Sequence, residues 1–79
     1  MNVFILVIQY FNRYGRVEVE PICFSSREKA MSEFEYRTNY EQQDGHFVDM
    51  IEDGFAAVRR TGNDGIVNVV YEVVGRKIN

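Results

Sequence analysis

His46 is the only histidine of the 79-residue chain. It stands in the stretch EQQDGHFVDMIEDG, Glu41 to Gly54, which holds five carboxylates and no Lys or Arg. Asp44, His46, Asp49 and Glu52 all carry ligand atoms for a divalent ion. On a helix, Asp49 and Glu52 would share a face with His46; on strands the three would scatter. The spacing matches neither the H-E-x-x-H pair of zinc proteases nor the EF-hand ladder of ligands. No metal or other cofactor is therefore expected, and the stretch reads as a solvated acidic segment.

Nucleophilic chemistry fares no better. Cys23 is the only cysteine, which excludes a multi-cysteine zinc site and an intrachain disulfide and fits a reducing compartment. It lies in the apolar run PICF, the usual setting of an inert buried thiol. A Cys23–His46 pair would need the fold to bring the two together. Carboxylate pairs for acid–base work can be drawn from any acidic surface, so the acidic stretch singles out none. The sequence points to a protein that is not an enzyme.

Arg59 and Arg60 stand just before Gly62-Asn63-Asp64-Gly65. That segment lacks the Walker pattern and reads as a turn, but the two arginines could hold a small anion or a nucleotide phosphate. With Arg76 and Lys77 they make at most a modest basic patch, so direct nucleic-acid binding is not expected.

Charge is unevenly laid out. Residues 28–53 hold eight acids against two bases, net −6, whereas residues 1–27 are net +1 and residues 54–79 net +2. An acidic middle third suits a basic partner and repels phosphate. Five Tyr and six Phe in so short a chain exceed the needs of a small core. Tyr36 and Tyr40 flank the acidic tract, and tyrosine favours interfaces because its ring buries area at low entropic cost. The candidate partner-binding set is Glu33, Glu35, Tyr36, Tyr40, Glu41, Asp44, Asp49, Glu52 and Asp53.

The elements that must position these residues are legible in outline. One domain over residues 1–79 is expected from the length. VFILVIQYF is apolar at nearly every position, as in a strand covered on both faces or central in its sheet. Asn12 and Gly15 mark a turn. In RVEVEPICF, Val17 and Val19 alternate with Arg16, Glu18 and Glu20, a strand with one wet face, and Pro21 puts it at an edge or a bulge. In SSREKAMSEFEYRTNY, Ser25 as N-cap with Glu28 three residues on makes a capping box. Ala30, Met31, Phe34 and Thr38 form an apolar stripe at helical spacing, and Glu33 can pair with Arg37.

FVDMI reads as a short strand turned by Glu52-Asp53-Gly54 into FAAVRR. A rival reading is a second helix over residues 44–60, where Gly54 would cost about 1 kcal/mol in mid-helix. Gly62 to Gly65 would then close a hairpin onto the last strand. The expected fold is α+β: an antiparallel sheet of four to five strands, order β-β-α-(β)-β-β, with one amphipathic helix on one face. The other face must be partly polar, or be covered by a second subunit.

In size, element order and acidic middle third the chain resembles the small acidic single-domain proteins of phages and mobile elements, several of which inhibit host enzymes or defence complexes. The first expectation is accordingly a binding protein that meets a basic host-protein surface through its acidic, tyrosine-flanked tract. The alternative is a homodimeric small-anion or nucleotide-binding regulator using Arg59 and Arg60. The apolar run Val3 to Ile8 is too short to span a membrane and has no basic region ahead of it. A cytoplasmic protein without a membrane partner is expected.

Overall fold

The computed structural model describes residues 1–62 and 65–78. Its elements run β1 (Asn2–Asn12), β2 (Gly15–Phe24), α1 (Arg27–Gln43), β3 (Phe47–Glu52), β4 (Phe55–Arg59) and β5 (Val69–Lys77). The five strands form one antiparallel sheet in the order β2-β1-β5-β4-β3, with α1 packed on one face. The α+β expectation is met, and the segment left between strands and helix resolves as β3 and β4.

Glycine settles that choice. Gly54 takes φ of +78°, a turn conformation that no helix interior contains. The turn is also tight. A Cβ there would lie 3.1 Å from the Met31 sulfur, and the Gly54 carbonyl accepts from the Val73 N–H at 2.7 Å. β4 and β5 pair as the expected hairpin, with Val58 opposite Val69. Their connection is longer than a tight turn, and the tip of the expected one, Asn63 and Asp64, lies outside the described residues.

The capping box over Ser25 and Glu28 is corrected. Ser26 is the N-cap, its hydroxyl accepting from the Lys29 N–H at 3.2 Å, while Ser25 Oγ accepts from Lys29 Nζ at 3.1 Å. Starting one residue later puts Glu28 in the first turn, where its charge meets the positive end of the helix but cannot close a box. At the other end α1 runs on through Glu41, Gln42 and Gln43, so the acidic stretch opens as the last turn of the helix. Gly45, with φ of +83°, follows the Asp44 C-cap and ends it.

The core lies between α1 and the middle strands. Leu6 and Ile8 of β1, Ala56 and Val58 of β4, and Val69 and Tyr71 of β5 meet Phe34 there. The helical stripe is confirmed: Ala30, Phe34 and Thr38 are buried and Met31 is half-buried. Thr38 tucks its hydroxyl back onto the Phe34 carbonyl at 3.0 Å, which satisfies it without a partner outside the helix.

Strand β2 is an edge strand, as Pro21 demands. Its faces are used the opposite way from what its sequence suggests. Glu20 stands opposite Ile8 on the helix side, and Val19 stands opposite Gln9 on the uncovered side. Val17 is skipped by the ladder, which jumps from Tyr10–Glu18 to Phe11–Arg16, and it is exposed. The helix side of β2 is filled further along the strand, where Ile22 and Phe24 pack against the core. The same geometry overturns the reading of Cys23 as buried: it is exposed, on the face that carries no helix.

Candidate functional site

Helix α1 buries the line 30-34-38-41 and turns its other flank outward. On that flank Tyr36 and Tyr40, one turn apart, bring their ring centroids to 6.3 Å with planes tilted by 34°. They are 64% and 53% exposed, unusual for two large rings in contact. Beside them a groove of about 320 Å³ is lined by Glu33, Tyr36, Arg37, Tyr40, Glu41 and Tyr71. A second, more open hollow continues it toward the helix N-terminus past Phe24 and Lys29. Together they form a trough along α1 on the side of the edge strand β2.

The charges in the trough are ordered. Arg37 Nε donates to Glu33 Oε2 at 2.7 Å, the i,i+4 pair expected from the sequence. Glu41 accepts two bonds from Arg60, at 2.9 Å from Nη2 and 3.3 Å from Nε. Its bond to Arg60 and the attraction of the carboxylate push the Arg60 guanidinium above its ordinary range, against the lowering effect of burial. Tyr10 donates to Glu20 at 3.3 Å. Partial burial and then the Glu20 charge raise the Tyr10 phenol, while Arg37 lowers it.

Tyr71 lines this groove and is 4% exposed. Among the described residues its hydroxyl has no hydrogen-bond partner. Burial, followed by the charge of Glu41, pushes its pKa up to about 12. The unfolded chain releases this proton near pH 10 and the folded chain near 12. Stability from this group is thus complete below about pH 10 and is lost as pH rises to about 12, by on the order of 2 kcal/mol. Urea titrations across that range are expected to show the loss in the native protein and a smaller one in Tyr71→Phe.

The nine candidate partner residues do not form one surface. Glu33, Tyr36, Tyr40 and Glu41 meet at the groove, with Glu35 exposed on the same helix and Asp44 at its C-cap. Asp49 stands opposite Ala57 on the face without a helix. Glu52 ends β3, and Asp53 in the following turn contacts Arg27 at 3.2 Å, an exposed pair of little energetic weight. Glu41 is buried and committed to Arg60, so it is a strut between α1 and the end of β4.

Arg59 and Arg60 of the anion alternative border a shallow hollow of about 290 Å³ with Phe47, Thr61, Gly62 and Gly65. Their charged ends part company, however. The Arg59 guanidinium lies 4.3 Å from the Phe47 ring centroid, and that of Arg60 turns to Glu41. His46 Nδ1 accepts from the Thr61 N–H at 3.2 Å, tying the start of β3 to the connection after β4. That bond requires Nδ1 unprotonated. Among the described residues no group of three or more His, Cys, Asp or Glu is placed to hold a metal ion. No helix among them is long and apolar enough to cross a membrane.

Sequence reasoning found Tyr36, Tyr40, Glu41 and the Glu33–Arg37 pair but missed Tyr71, Tyr10 and Glu20 as their neighbours. Tyr71 and Tyr10 read as strand residues, and only the pairing of β1 with β5 and β2 brings them under the helix. Compared with known proteins, the chain matches no family model, no curated protein and no solved structure.

Proposed function

We propose that this protein is a non-enzymatic binding module that holds a basic segment of a partner protein in the trough along α1. The observation that supports this reading best is the exposed Tyr36–Tyr40 pair at the mouth of a groove with an unpartnered tyrosine hydroxyl. A Lys or Arg of the partner would lie over the two rings, which attract cations through their faces. Glu35 and Asp44, exposed on the same helix and without an ion pair among the described residues, add attraction at longer range. A partner whose basic surface normally holds nucleic acid would be inhibited by such a contact, in keeping with the likeness to phage and mobile-element proteins.

The test is a tagged pull-down from bacterial lysate with the native chain and a Tyr36→Ala/Tyr40→Ala bait. Affinities are then measured on the purified partner and on basic peptides cut from its sequence. The double substitution is expected to weaken binding by roughly a hundredfold, because two ring anchors at about 1–2 kcal/mol each are lost. Affinity is also expected to fall with added salt. Equal retention of every partner by both baits would sink the reading.

A further inference from the structure

The face of the sheet that carries no helix is apolar where an isolated two-layer domain should be polar. Strand residues alternate between faces, and those opposite in register share one. With Leu6, Ile8 and Tyr71 fixed in the core, Val3, Ile5, Val7, Phe55, Val70 and Val74 belong to the uncovered face, and all are only half-buried. An antiparallel sheet open to water on one side reads as hydrophobic-in, polar-out. Here both sides of β1 and β5 are hydrophobic.

Asp49 and Arg59 lie out on β3 and β4 and Arg16 at the start of β2; between them, among the described residues, the charges on this face are two and stand about a line. On β5, Glu72 and Arg76 flank Val74 at equal spacing, and neither has an ion-pair partner among the described residues. Val74 is in register with Ile5, and Ile5 with Cys23, so these three form a row across the sheet. Val7 stands beside Glu72 on one side of the row, and Val3 beside Arg76 on the other.

We infer that a second copy of this chain covers the face, related by a two-fold axis running along the row Cys23–Ile5–Val74. Rotation about that row lays Glu72 over Arg76 of the second copy, twice, and Val7 over Val3 of the second copy. Each residue of the row then meets its own counterpart. A two-fold axis along β5 would instead set Glu72 against Glu72, a repulsion that selects against it. Such an isologous contact needs a patch complementary to itself, and this one is.

The contact is small. β4 begins at Phe55, opposite Glu72, and so lies wholly to one side of the row. The rotation overlaps β2, β1 and β5 over about seven positions, on the order of 24 by 14 Å, or roughly 350 Å² before side-chain relief is counted. Standard interfaces bury about 800 Å² per partner, so the charge match of Glu72 with Arg76 carries the inference more than the area does. The two sheets would pack about 10 Å apart with the helices outside, which leaves the trough along α1 open. The inference is thus independent of the binding function proposed above.

Sedimentation equilibrium on the full chain tests it, with far-ultraviolet circular dichroism to verify folding. The native protein is expected to be a dimer at micromolar concentration. Ile5→Asp, which changes the face without touching the Phe34 core, is expected to be a folded monomer. Glu72→Arg and Arg76→Glu should each weaken the dimer by about a hundredfold, and the Glu72→Arg/Arg76→Glu swap should restore it. A short bismaleimide should join Cys23 to Cys23 in the native dimer and fail in Ile5→Asp. A native protein that stays monomeric at every concentration would overturn the inference. So would a dimer indifferent to Ile5→Asp, or single charge reversals that the swap does not rescue.

Discussion

Phe34→Ala is expected to leave the chain largely unfolded at ambient temperature. Phe34 is the largest fully buried side chain, and the only large apolar one that α1 buries completely. It reaches between β1, β4 and β5 and is the residue through which helix and sheet share a core. Truncating a buried Phe costs about 3–5 kcal/mol, the lost transfer energy plus the cavity left behind. A chain of this length draws roughly 3–5 kcal/mol from a single core. The two quantities are of the same size, so the substitution removes most of the margin. The rest of the helical stripe cannot compensate, because Ala30 offers little surface and Thr38 and Glu41 are polar. Phe34→Leu keeps most of the volume and is expected to cost about 1 kcal/mol. Urea denaturation followed by circular dichroism checks both. An alanine variant with a midpoint close to that of the native protein would show that Phe34 is not the keystone.

The sequence makes the element order readable because each strand and the helix advertises itself locally. β1 is a continuous apolar run, the Ser25-Ser26 pair announces a helix start, and Gly54 stands where only a turn accommodates φ of +78°. What it hides is decided between elements. The register of Ser25 against Ser26 turns on which hydroxyl meets the Lys29 N–H, a difference of one residue that the capping pattern alone does not resolve. The valines of β2 look like core because they alternate with charges. Yet the register turns Val19 and Cys23 to the face without a helix and skips Val17 at a bulge, so all three are exposed while Ile22 and Phe24 take the core side. The same limit splits the acidic stretch. Read as one tract it suggests one surface, but the chain passes through a helix end, a strand and a turn between Glu41 and Asp53. Only the tyrosine pair survives as a unit, since its spacing of four residues is local to α1.

Glu41 is the clearest case of a residue whose role depends on a distant partner, and Arg60→Met should expose it. Removing the arginine is expected to destabilise the fold by roughly 3 kcal/mol, at the lower end of what breaking a buried pair costs. The asymmetry of burial sets that figure. The Glu41 side chain is 7% exposed while that of Arg60 is 38% exposed. Without Arg60 the carboxylate keeps its buried position and loses both of its hydrogen bonds. Without Glu41 the guanidinium can turn toward water, so Glu41→Gln is expected to cost less, about 1–2 kcal/mol. Replacing both together by Arg60→Met/Glu41→Leu removes the stranded charge, and most of the stability should return. Thermal melts of the three variants read the order: Arg60→Met lowest, then Glu41→Gln, then the double substitution. If Arg60→Met melts with the native protein, the pair is a surface contact and α1 is held by Phe34 alone. If the order holds, the acidic residue nearest the tyrosines is part of the scaffold. The carboxylates left to meet a partner are then those that α1 turns to solvent, with Glu35 and Asp44 foremost among them.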